Sequence, residues 1–329
     1  MNNINKLMKY ETAGDPISGT LWTRKTREII SNELLTIGIS IGKTTIGKLL
    51  KKMKFSLRSN SKKISNGGRV LTKEEAEKRN NQFEFIKRTR TRFNKKRLPV
   101  LSVDGKKKDL IGNFKNHGTR YKKEADLTND HDFAHYGIGK SLPYGLFDDQ
   151  RYEGFVYVGQ ALWDTQEKKF TSSETPEFAA ESIAKWWKVY GQKSYPAANE
   201  ILILADSGGS NGYRSRMWKA KLHELLCNNL GMKIMVCHYP PGASKWNPIE
   251  HRLFSEISKN WQGTPLNSFE TVLKYIRTTK TKSGLKVRAQ LVKKKYKKGK
   301  AVSKEHFEKI GLKPNKFMPN WNYSIVPTI

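Results

Sequence analysis

The chain has 329 residues, 36% of them hydrophobic, and sets 62 lysines and arginines against 30 acids for a formal charge of +32. That is apolar material for at least one substantial core, so a disordered chain is excluded. No apolar run reaches the roughly 18 residues of a membrane span and MNNINKLMKYETAGDP holds no signal-peptide core, so no membrane partner is expected and nucleic acid is the polyanion that the charge implies.

From the N-terminus, the turn formers of GDPISGTLWT lead into a predicted helix over 24–35 that spaces Ile29, Ile30 and Leu34 helically. After a break at 36–42, KTTIGKLLKKM carries Ile46, Leu49, Leu50 and Met53 on one face and Lys43, Lys48, Lys51 and Lys52 on the other. Helix, glycine-containing turn and basic helix predict a helix-turn-helix unit within residues 1–60. Its second helix would enter a major groove with Lys43, Thr44 and Thr45 nearest the bases and Lys48 beside them. The alternative is an ordinary helix pair with a solvated basic face. The run from Gly38 to Thr44 imitates a phosphate-binding loop but has one residue too few between its glycines.

Residues 61–97 read as a basic linker containing a helix over about 73–91, and KRTRTRFNKKR (87–97) holds seven Lys/Arg without an acid. Residues 98–265 change character. Strands are predicted at 99–105, across KKKDLIGNF after a turn, and at 154–162. A helix at 176–191 follows, with Phe178, Ile183, Trp186, Trp187 and Tyr190 on its apolar side. Then come a strand at 199–209, a helix at 214–229, a strand at 233–242 and a helix at 245–261. Three early strands, then helix, strand, helix, strand, helix is the order of an α/β fold of the ribonuclease-H-like kind. Residues 266–329 read as a basic C-terminal extension, because KVRAQLVKKKYKKGK (286–300) has eight Lys/Arg and no acid.

Two cysteines, Cys227 and Cys237, give no disulfide framework and fit a reducing cytoplasm. A zinc set of His223, Cys227, Cys237 and His238 can be drawn, but thiols packed under a helix and in a strand are the plainer reading.

In so basic a chain, acids at the ends of buried strands demand compensation, since an unpaired buried carboxylate costs several kcal/mol or gives up its charge. Asp104 ends Val-Leu-Ser-Val and Asp206 ends Ile-Leu-Ile-Leu-Ala, positions where open α/β sheets take ligands. Glu250 follows the last strand at the start of a helix. Converging carboxylates suit hard divalent cations, and two such ions can serve an in-line phosphodiester displacement. Each acid also has a plainer role: Asp104 and Asp206 as turn residues before glycine or Ser-Gly-Gly, and Glu250 as the third-position partner of a capping box opened by Asn247 and Pro248.

SVDGKKKDLIGNFKN (102–116), DFAHYGI (132–138), ADSGGSNGYRSRMWK (205–219), CHYPPGASKWNPIEHRLFSEISKNW (237–261) and TKTKSGLKVRAQL (279–291) resemble the ISAzo13-type insertion-sequence transposases, a DDE family. The resemblance runs from about residue 13 to the closing WNYSIVP. It implies a ribonuclease-H-like catalytic domain with Asp104, Asp206 and Glu250 as its triad, holding two Mg²⁺ ions, for which Mn²⁺ can substitute. The implied activity is cleavage at an element's terminal repeats and strand transfer into target DNA, by a homodimer or higher oligomer, in a bacterial cytoplasm near the nucleoid. Asn247, His251 and Arg252, within a turn of Glu250, would contact phosphate or support the site, and Lys245 would hold DNA. Gly105 stands where the family usually has threonine and Pro248 where lysine is frequent; neither change removes a carboxylate. The family tends to carry more sequence before GDP, so a product short at its N-terminus is expected. The alternatives are a nuclease that cuts without joining and a silent DNA-binding regulator.

Overall fold

The computed structural model of the chain describes residues 4, 12–14, 21–23, 26–53, 55 and 71–328. Two compact units divide it, Met1–Gly68 and Arg69–Ile329.

In the first unit, β1 (Thr12–Gly14) and β2 (Leu21–Thr23) pair antiparallel. Helix α1 (Arg27–Thr36) starts where Thr26 Oγ1 accepts the Ile29 N–H, and the chain turns at Gly38, with φ +79°, toward α2 (Lys43–Lys52). Ile30, Leu34 and Ile46 are buried with Ile4, and Ser31 Oγ donates to the Ile41 carbonyl at 2.7 Å, which ties the turn to α1. Ile29, read from sequence as part of the apolar side, is 44% exposed. Neighbouring helical residues point about 100° apart, and the narrow stripe here includes only Ile30 and Leu34 among the buried residues of α1.

The second unit opens with α3 (Lys73–Lys95), fixed by a reciprocal cap between Thr72 and Glu75. There follow β3 (Val100–Gly105), β4 (Leu110–Ile111), β5 (Gly139–Asp148), β6 (Glu153–Asp164), β7 (Lys169–Phe170), α4 (Pro176–Trp186), β8 (Glu200–Ala205), α5 (Arg216–Leu222) and β9 (Lys233–His238). The chain closes with α6 (Ser255–Trp261), α7 (Phe269–Arg277), β10 (Lys286–Val292), α8 (Lys304–Glu308), β11 (Leu312–Pro314) and β12 (Asn322–Ile325). Wider π turns prolong α4 and α5, and another, Glu250–Phe254, leads into α6.

The unit is a mixed α/β fold around one large sheet, in the order β10-β6-β5-β3-β8-β9-β12-β11. β5 runs antiparallel to both β6 and β3, whereas β3, β8 and β9 are mutually parallel, because α4 and α5 carry the chain back between them. Alternation sorts the side chains to two faces. Leu101, Val103, Ile201, Ile203, Ile234 and Val236 pack with Phe178, Ile183 and Trp186 of α4 and Trp218 and Leu222 of α5. On the opposite face, Val100, Leu202, Leu204, Met235 and Cys237 meet Ile86 and Phe93 of α3, while Phe147, Val156 and Val158 meet α6, its leading turn and α7. Each fully buried large side chain of this kind stabilises by about 1.5–3 kcal/mol.

Three parts of this sheet differ from the expectation. The second long strand is β5, whereas 106–114 yields only the two-residue β4, paired to β5. Glycines and Pro143 disguise β5 as a loop. Pro143 is tolerated at the last rung beside β3: just past the Gly105–Tyr144 pair its carbonyl still accepts the Lys106 N–H at 2.9 Å, and only the bond of its missing N–H is lost. The stretch 266–329 contributes α7 to a core cluster, β10 to one edge beside β6, and β12 beside β9. Helix α3, within the stretch read as a linker, is packed on the sheet.

Candidate active site

Parallel pairing of β3 with β8 places Val103 opposite Ala205, so the next residues, Asp104 and Asp206, emerge side by side from the same sheet end. Both line an open cleft of about 340 Å³ together with Ser207, Gly208, Gly209, Pro240, Gly242 and Ser244. Glu250, at the start of the π turn before α6, comes within hydrogen-bonding and Coulomb range of Asp104. Three acids distant in sequence therefore converge at one end of adjacent strands.

Burial, then the Asp206 charge, pushes the Asp104 carboxyl far above the usual carboxylate range, to about 9, against the Gly105 N–H that donates to its Oδ1 at 2.7 Å. Burial also raises Asp206, opposed by a hydrogen bond from Asn247. Carboxylates so crowded share protons or need a cation. Among the described residues, no three His, Cys, Asp or Glu side chains are arranged to hold a metal ion by themselves. Mg²⁺, which keeps several waters and asks for only one or two carboxylates, suits an open set of this kind, and the buried Oδ1 of Asn247 has no protein partner and adds an oxygen acceptor.

Asn247 does not cap its helix through the side chain. Its Nδ2 donates to Asp206 Oδ1 at 3.1 Å and to the Val103 carbonyl at 3.3 Å, linking both acid-bearing strands to the segment that carries Glu250. His251 Nε2 bonds the Lys245 carbonyl, and the exposed Lys245 ammonium lies 5.5 Å from the ring centre of Trp246. Arg252 turns elsewhere, to Asp149 Oδ1 at 3.4 Å. In the N-terminal unit Lys43, Thr44, Thr45 and Lys48 are exposed on α2, and Lys43 pairs with Glu28 at 2.5 Å. Of the imagined zinc set, Cys227 and Cys237 belong to clusters on opposite faces of the sheet.

Several neighbours of the site were not read from the sequence. Lys106 is buried, its ammonium 4.4 Å from the Trp261 ring centre and 3.7 Å from Asp109, and burial lowers its pKa against the pull of Asp109 and Glu250. Glu174 accepts from Ser210 Oγ at 2.6 Å and pairs with Lys108 at 3.0 Å; a Cβ on Gly105 would lie 2.3 Å from its Oε1. His238, weighed only as a zinc ligand, bonds the Asp206 carbonyl, and burial holds its imidazole down at about 4, hence neutral. The only sequence signal for the last is its place at the end of the apolar strand run Ile-Met-Val-Cys.

Two solved structures with similar chain traces are the Mos1 transposase paired-end complex with left transposon end and the Mos1 strand transfer complex. Each shares 13% identity over 84% of this chain, with TM-score 0.44, covering 69% and 68% of those chains. The family model described as the Rhodopirellula transposase DDE domain, of the ISAzo13 type, matches residues 3–327. By that match over nearly its whole length, the chain belongs to the ISAzo13-type DDE transposases.

Proposed function

We propose that this DNA transposase uses Asp104, Asp206 and Glu250 as the acidic triad of a ribonuclease-H-like catalytic core, with Mg²⁺ as the working ion and Mn²⁺ as a substitute. The observation that carries the reading is the meeting of these three acids from separate segments at the end of β3 and β8. Asp104 and Asp206 would hold the ions in the cleft, and Glu250 would close the set from the π turn. Such ions, when bound, would supply activation of the attacking oxygen and stabilisation of the leaving one, a chemistry that asks for no protein base. Asn247 keeps Asp206 aimed into the cleft, and the buried Lys106 offsets charge beside Glu250.

The DNA-binding half of the proposal rests on charge. With +32 overall and exposed Lys43, Thr44, Thr45 and Lys48 on α2, the N-terminal helix pair is assigned to the element's terminal repeats, as a helix-turn-helix. Lys245 is assigned to DNA beside the cleft, and synapsis of two ends calls for at least a dimer. Buried Asn247 supports the site from within the protein, and exposed His251 and Arg252, within a turn of Glu250, are assigned to DNA phosphate.

Strand cleavage and joining on a labelled duplex carrying the element's end, with Mg²⁺ or Mn²⁺, tests this reading. Joined products that need metal and vanish in Asp206→Asn are expected. Cutting without joining would make the chain a nuclease, and binding without cutting a regulator.

A further inference from the structure

The last strand of the chain reaches the catalytic end of the sheet through buried polar groups. His238 is wholly buried at the end of β9, with its ring between two partners: Nδ1 lies 2.8 Å from the Asp206 carbonyl oxygen and Nε2 lies 3.0 Å from Tyr323 Oη. Tyr323 Oη in turn receives the Trp218 indole N–H at 3.1 Å. Two of these groups allow only one role: a carbonyl accepts, and an indole N–H donates. In the neutral ring, Nδ1 therefore carries the proton toward Asp206, Nε2 is bare, and the Tyr323 hydroxyl donates to it. Every proton in the chain from Trp218 to Asp206 is assigned.

The backbone of His238 is held as firmly. Its N–H donates to the Trp321 carbonyl at 2.8 Å, and its carbonyl accepts from Gln82 Nε2 at 2.8 Å. Gln82 and Asn322 exchange a reciprocal pair of amide hydrogen bonds, both 2.8 Å, which locks α3 to β12 beneath it. The bond to Asp206 thus starts from a fixed point, whereas the residues after Asp206, Ser207 to Gly209, line the cleft and include two exposed glycines.

We propose that His238 is a positioning residue for Asp206: its Nδ1–H fixes the Asp206 peptide, and through it the carboxylate, with Tyr323 and Trp218 selecting the tautomer. The inference rests on the metal-binding reading of Asp206 for its consequence, though not for its geometry.

The experiment compares His238→Asn with His238→Gln. The asparagine amide falls near the place of Nδ1 and can still donate to Asp206, whereas the glutamine amide falls near Nε2 and can reach only Tyr323. Two readouts on the full-length protein are hydrogen exchange of the 206–209 amides without metal, and Mn²⁺ affinity by electron paramagnetic resonance. His238→Gln is expected to speed exchange at 206–209 and to weaken Mn²⁺ binding about tenfold or more, the usual effect of losing a group that orients a metal ligand, with His238→Asn near wild type on both. Thermal melting controls for stability, which both variants lower. Equal exchange in the two variants, or loss that merely follows melting temperature, overturns the proposal. Absence of Mn²⁺ binding in wild type would sink the metal reading instead, leaving the exchange comparison to decide the positioning role.

Discussion

Replacing Asn247 by aspartate puts an oxygen where an amide nitrogen now bridges Asp206 Oδ1 at 3.1 Å and the Val103 carbonyl at 3.3 Å. Two unit charges about 3 Å apart at an effective dielectric near 20 repel by about 5 kcal/mol. The variant has a cheaper escape, because a carboxyl with an ordinary pKa near 3.9 takes up a proton at pH 7 for about 4 kcal/mol, and the new O–H then restores the bond to Asp206. The expected loss in Asn247→Asp is therefore about 4 kcal/mol at pH 7, shrinking by about 1.4 kcal/mol for each unit of acidification. That is a large part of the roughly 5–15 kcal/mol that holds a typical domain folded. Guanidinium unfolding between pH 5 and 7 measures it, with Asn247→Ala as the comparator that loses the same bonds but adds no charge. Millimolar Mg²⁺ should recover part of the loss in the aspartate variant and none in the alanine variant. A loss in Asn247→Asp that does not vary with pH beyond that of Asn247→Ala would refute the bridging role given to this side chain.

Asp148, buried and accepting the Tyr195 hydroxyl, is pushed up to about 6 by burial. Well below pH 4 both folded and unfolded forms are protonated; as pH rises from about 4 to 6 only the unfolded form ionises, so stability should fall by about 3 kcal/mol across that window and then level off. Unfolding of wild type minus Asp148→Asn over the same range checks the sign. Gly145→Ala would place a methyl 2.5 Å from Phe254 Cε1 and 3.0 Å from Ile249 Cδ1, and should cost about 1–3 kcal/mol while displacing the turn that holds Glu250, so strand transfer should fall further than the melting shift explains. Removing both Lys43 and Lys48 should flatten the salt dependence of binding to the element's end by nearly two in the log–log slope if each meets a phosphate; an unchanged slope would take α2 off the DNA backbone.

Much of the candidate site was legible in the chain because its signals are local. Buried runs such as Val-Leu-Ser-Val and Ile-Leu-Ile-Leu-Ala declare strands by themselves, and an acid directly after each falls at the strand end whatever the neighbours are. Glu250 was ambiguous for a local reason: Asn247, Pro248 and Glu250 spell a helix start, and no spacing rule tells whether the Asn247 side chain turns back to its own helix or across to Asp206. Only packing against β3 and β8 decided that.

Charge, the α/β element order and the positions of the three acids were set by the sequence, since composition and short-range periodicity survive without knowledge of partners. Tertiary structure alone decided the rest. β5 hid behind glycines and Pro143, whose cost depends on where the neighbouring ladder stops. WNYSIVP looked like a tail, yet its register against β9 brings Tyr323 to His238 and so to Asp206, groups 85 and 32 residues from that histidine. Such contacts depend on which strands pair and in what register, and pairing between distant segments leaves no mark in the residues of either one alone.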